Sequence, residues 1–110
     1  MSSKPSSRDL DLAREFARRL GLVVGGRGFT VTLFGSRARG SGDEESDLDL
    51  FVALDGDDRG GVRDAALDVA CDLTLESGVL VSVFVADRAF LARHQGFSFL
   101  ETVEREGVRV

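Results

Sequence analysis

The sequence holds a single cysteine, Cys71, so no internal disulfide can brace it, and a single proline, Pro5, near its start. No apolar run approaches the roughly 20 residues that a membrane-spanning helix requires. The first residues also lack the basic-then-apolar order of a secretory signal, so a cytoplasmic protein is expected. An excess of basic charge is missing as well. Lys4 is the one lysine; Lys and Arg together number 14 against 19 Asp and Glu, a formal charge of −5. That balance argues against nonspecific nucleic-acid binding, which draws its affinity from neutralised phosphates, and favours a protein or small-molecule partner. The glycine-rich stretches lack the Gly-Lys-Ser/Thr ending of a P-loop. Ser36, Ser41 and His94 have no nucleophile elbow around them. The run from Asp55 to Gly60 begins like a calcium loop, but Arg59 and Ala66 stand where oxygen ligands are needed.

What is present is enough for one domain of 110 residues. Residues 1–6 read as a disordered tail and 7–110 as a single domain. Ser6 or Ser7 is placed to cap a helix over 8–20, where Leu10, Ala13, Phe16, Ala17 and Leu20 recur at helical spacing and Gly21 follows as a stop. A glycine-rich link over 25–28 leads to a strand over 29–34, and residues 35–46 form a loop with room for one helical turn. A second strand covers 47–54. A helix over 61–77 carries Val62, Ala66, Val69, Ala70 and Leu73 on one stripe, with Cys71 expected as buried filler. A third strand follows over 79–85. Asp87 is an N-cap for a short helix over 88–94 that His94 can close; Ser98 and Glu101 fit a capping box, and Gly107 ends that last helix before a terminal Val-Arg-Val. The order predicts an α/β (α+β) fold: a small mixed sheet with helices packed mainly on one face.

Residues 34–52 carry the chemistry. Along the second strand, Asp47, Asp49, Phe51 and Ala53 share one face and Leu48, Leu50, Val52 and Leu54 the other. Two carboxylates at i and i+2 repel unless a cation lies between them, and a hard ion such as Mg²⁺ (or Mn²⁺) suits such a pair together with substrate phosphates. Gly35 lets backbone amides approach a phosphate and Ser36 adds a hydroxyl donor. Arg37 and Arg39 have guanidinium forks that match phosphate oxygens, or else they pair with Glu44 or Glu45. Asp43, Glu44 and Glu45 read as an exposed acidic loop.

Gly35-Ser36, ten intervening residues, then Asp47-x-Asp49, within Gly-Ser-Arg-Ala-Arg-Gly and Ser-Asp-Leu-Asp-Leu, resembles the nucleotidyltransferase motif of the DNA polymerase β superfamily, in particular its minimal nucleotidyltransferases. The resemblance implies a polymerase-β-like core that uses ATP or another NTP with Mg²⁺. Asp47 and Asp49 would be the catalytic metal ligands, and Gly35, Ser36, Arg37 and Arg39 the nucleotide-binding residues. It also implies transfer of a nucleoside monophosphate, AMP from ATP, to an acceptor hydroxyl. Members of this size pair with a small HEPN-domain toxin that they modify as its antitoxin, so a HEPN-domain protein, or self-association, is the partner it implies. The sequence departs from the family on the third strand, where Ser82 occupies the position at which active members place another acid. A catalytically impaired nucleotide-binding or partner-binding regulator is therefore the alternative reading.

Overall fold

A computed structural model describes residues 4–25, 28–41 and 45–110. The first helix, α1, spans Ser7–Val24, and its cap is Ser6, whose hydroxyl accepts the Asp9 N–H at 3.1 Å. Gly21 does not stop it. A glycine inside a helix costs about 1 kcal/mol, and the extra turn lets Val24 pack against the core beside the fully buried Leu20. The chain leaves the helix at Gly25, whose φ of 70° favours glycine.

Strand β1 is Phe29–Phe34, followed at once by a single turn, α2, at Gly35–Ala38. Strand β2 is Leu48–Leu54, helix α3 Arg59–Ser77, and strand β3 Val81–Ala86. Helices α4 (Arg88–Arg93) and α5 (Ser98–Glu106) precede the edge strand β4 at Val108–Arg109. The sheet order is β3-β2-β1-β4; β1 runs antiparallel to both neighbours, and β2 and β3 are parallel, joined through α3. This is the expected mixed sheet.

Its two faces differ in kind. Leu48, Leu50, Val52 and Leu54 of β2 point into a core that α1 and α3 close with Phe16, Leu20, Val62, Ala66 and Leu73. The long helices thus lie on one face, as the reading expects. The other face carries Phe34, Phe51, Ala53 and Phe84, an apolar surface that needs its own cover, and the short α4 and α5 supply it with Phe90, Phe99 and Val103. Phe51 stacks on Phe84 at 5.7 Å and Phe34 meets Phe99 edge-on at 5.5 Å.

Two further local expectations are corrected. Ser98 is the first helical residue of α5 and not its cap; Phe97 holds the cap position without a side-chain hydrogen bond, so the capping box does not form. Cys71 is exposed, because it falls opposite the Val62–Leu73 stripe that α3 buries. Other signals stand: Asp87 accepts the Phe90 N–H at 2.8 Å, and His94 Nδ1 lies 2.8 Å from the Phe90 carbonyl at the end of α4. Among the described residues, no helix is long and apolar enough to cross a membrane.

Candidate functional site

The site forms where β1 ends and β2 begins. Antiparallel pairing sets Phe34 opposite Asp49, so the residue after Phe34 meets the Asp49 side chain directly. Gly35 has a φ of 79°, and a Cβ there would overlap the Asp49 carboxylate. Both the backbone conformation and the contact demand glycine. The result is a carboxylate laid against a Gly-Ser turn. Ser36 is the second residue of α2, and its carbonyl accepts from the Ser41 N–H at 3.1 Å, which folds the following loop back on the turn. Among the described residues the Ser36 hydroxyl has no hydrogen-bond partner, so it is available to a ligand.

Asp47 is exposed just ahead of β2, and Asp49 is partly buried on the α4/α5 face of the sheet. Burial first, and the nearby Asp47 charge second, push the Asp49 carboxyl above its ordinary pKa. A carboxyl whose charged form is penalised in this way, beside a second acid, has a place for a positive charge. No third His, Cys, Asp or Glu joins them among the described residues, so phosphate oxygens and water would complete the shell of a hard cation held there.

Arg37 has a different position from the phosphate clamp that was expected. It is buried, with Nη1 2.8 Å from Asp9 Oδ1 and Nε donating to the Ser46 carbonyl at 2.8 Å. It therefore ties the start of α1 and the approach to β2 around α2. Asp9 is the residue that sequence reasoning missed: an acid in the first turn of a helix reads as a favourable charge at the helix dipole, and only its burial marks it as a partner. Arg39 is exposed, 3.5 Å from Glu106, and remains within the loop that borders the site. Glu45 is exposed; Asp43 and Glu44 lie outside the described residues.

Ser82 is in register with Asp49 across the parallel β2/β3 pair, on the same face of the sheet. Among the described residues, the carboxylates that could supply the missing acid lie elsewhere. Asp72 and Glu76 are on α3, beneath the opposite face, with Glu76 paired to Arg19 at 2.8 Å, and Asp87 caps α4.

Comparison with known proteins bears on this arrangement. The family model described as "Nucleotidyltransferase domain" matches residues 10–97, from within α1 to the residue before α5. Two proteins of Methanocaldococcus jannaschii are similar, each named "Putative protein adenylyltransferase". One is 33% identical over 94 residues, covering 86% of this chain and 89% of its own length. The other is 27% identical over 101 residues, covering 92% of this chain and 97% of its own. No solved structure matches the chain.

Proposed function

The chain belongs to the nucleotidyltransferase domain family, and on that premise we propose that it transfers AMP from ATP to an acceptor hydroxyl on a protein. The observation that supports this most is the Asp49 carboxylate lying against Gly35, so that one of the two acids proposed to hold a cation adjoins the turn proposed to hold phosphate. The names of both relatives refer to protein adenylylation, in agreement with a protein acceptor.

In this reading the Ser36 hydroxyl and the α2 backbone amides hold the terminal phosphates, and exposed Arg39 reaches their outer oxygens. Asp47 and Asp49 would hold a divalent cation, Mg²⁺ or Mn²⁺, which would supply positive charge against that of the triphosphate and the pyrophosphate. The acceptor hydroxyl attacks the α-phosphorus in line and gives up its proton to water, as the bond from the α-phosphorus to the β-phosphate oxygen breaks and pyrophosphate leaves. Arg37 positions the turn through Asp9 and Ser46 and does not touch the nucleotide. By family resemblance the acceptor is a HEPN-domain toxin, with this chain as its antitoxin.

A second reading draws on Ser82. A serine does not accept a proton near neutral pH, and no other described carboxylate takes its place beside Asp49. The chain would then bind nucleotide and regulate a partner without turnover.

Incubation of the protein with α-labelled ATP and Mg²⁺, with and without a HEPN-domain protein, separates the two. Transfer of label to protein is the expected result. Metal-dependent binding without transfer to any acceptor favours the regulator, and no binding contradicts both. Gly35→Ala provides a structural check: the positive φ costs alanine about 1–2 kcal/mol, and the new methyl displaces Asp49. A modest fall in melting temperature with loss of ATP binding by calorimetry is expected.

A further inference from the structure

We propose that the open cleft between α5 and the β1 side of the sheet binds a small organic amine, an ammonium carried on an apolar ring or chain, at a site separate from the Asp pair. The cleft holds about 640 Å³, within the range of small-molecule sites. Its origin is in the sequence. On the sheet face that α4 and α5 cover, Phe51 and Phe84 fill the space beneath Phe90 and Phe99. Toward β1 the residues on this face are smaller: Thr30 stands opposite Ala53, and Thr32 opposite Phe51. Thr30, Thr32 and Ala53 remain partly exposed and form the floor of the cleft with Phe51.

The polar groups around this floor are unpaired. Glu101 and Glu104, three residues apart on α5, line the cleft, as do Gln95 from the turn before α5 and Arg109 of β4. Among the described residues, no side-chain hydrogen bond or ion pair engages any of these four, nor the hydroxyls of Thr30 and Thr32. Two acids and one arginine leave one negative charge, which one ammonium balances. An apolar body laid on Ala53 and Leu100 takes water from both carboxylates. A cation offsets that cost, whereas a neutral or anionic ligand does not. The threonine hydroxyls and Gln95 are then left to orient polar substituents.

The cleft is distinct from the nucleotide site. Phe34, directly across from Asp49, meets Phe99 edge-on at 5.5 Å, and these rings stand between the cleft and the Asp pair. None of Gly35, Ser36, Asp47 and Asp49 lines the cleft.

Tryptamine, indole-3-ethanol and indole-3-acetate share one ring and carry a positive, no and a negative charge. The chain has no tryptophan, so indole fluorescence reports the probe alone. Titrated with the full chain without nucleotide, tryptamine should bind saturably and about tenfold or more tightly than indole-3-acetate. In ¹⁵N NMR spectra the shifts it causes should centre on Thr30, Thr32, Ala53 and Glu104. Glu101→Gln combined with Glu104→Gln, both at exposed positions, should weaken tryptamine about tenfold and leave indole-3-ethanol unchanged. Ala53→Leu should fill the floor and weaken all three probes; if it does not fold, the glutamine variant decides. The proposal is overturned if no probe binds, if indole-3-acetate binds as tightly as tryptamine, if the glutamine variant binds tryptamine undiminished, or if the shifts centre on Asp47 and Asp49. Shifts of the same amides with rising protein concentration alone would place a second copy in the cleft and overturn it too. None of these outcomes depends on nucleotide binding.

Discussion

Asp49→Asn is expected to reduce nucleotidyl transfer by about a thousandfold or more, while raising the melting temperature of the metal-free protein by a few degrees. The loss follows from removing a charged cation ligand at the point where charge develops on the phosphates. The gain follows from the cost that Asp49 imposes on the empty fold. Its carboxyl is partly desolvated and faces the Asp47 charge, so its pKa in the folded chain lies above the unfolded value. A raised carboxyl pKa means that the native state holds its proton more tightly, and stability falls as pH rises from the ordinary carboxylate range through the Asp49 value. Asparagine removes that penalty. Thermal unfolding in chelator should therefore show wild type losing stability across that interval and Asp49→Asn losing less. Added Mg²⁺ and ATP should stabilise wild type and leave the variant unchanged. Transfer activity should fall on acidification at a higher pH than an ordinary carboxylate would give, since protons compete with the cation for Asp49.

Arg37→Ala should cost about 3–5 kcal/mol of folding stability, a large part of the ~5–15 kcal/mol available to a domain of this kind. Arg37 and Asp9 are each only 8% exposed at the side chain. Removing the guanidinium leaves the buried Asp9 carboxylate without this counter-charge and takes one donor from the Ser46 carbonyl. Urea unfolding should show a lower midpoint at unchanged slope. Asp9→Leu combined with Arg37→Met should recover much of the loss, because an apolar pair leaves no charge behind. Arg39→Ala, by contrast, should leave stability nearly unchanged, as its contact with Glu106 is long and exposed.

These two arginines, two residues apart, show where sequence reading is informative and where it ends. The Gly-Ser turn and the Asp pair were legible because each is local: glycine before serine, and charge at i and i+2 of an otherwise apolar strand. Strand β1 at 29–34, the buried stripe of α3 and the Asp87 cap were legible for the same reason, since periodicity and capping are short-range. Asp9, the buried acid that Arg37 meets, lies 28 residues away and is brought to it by the packing of α1. The extension of α1 past Gly21 was also decided by packing, which overrode a weak local preference. Ser82 lies between these cases. Its residue type was visible, but its alignment with Asp49 required the register of a parallel strand pair that is made only through α3.

The central claim is that Gly35-Ser36 and Asp47-x-Asp49 form one nucleotide and cation site. A crystal structure of the chain with Mg²⁺ and a non-hydrolysable ATP analogue tests it most directly. The expected result is a cation held between Asp47 and Asp49 and bridged to the triphosphate, with its terminal phosphates against the Ser36 hydroxyl and the α2 amides. A triphosphate bound elsewhere, or a cation that makes no contact with Asp49, would contradict the account.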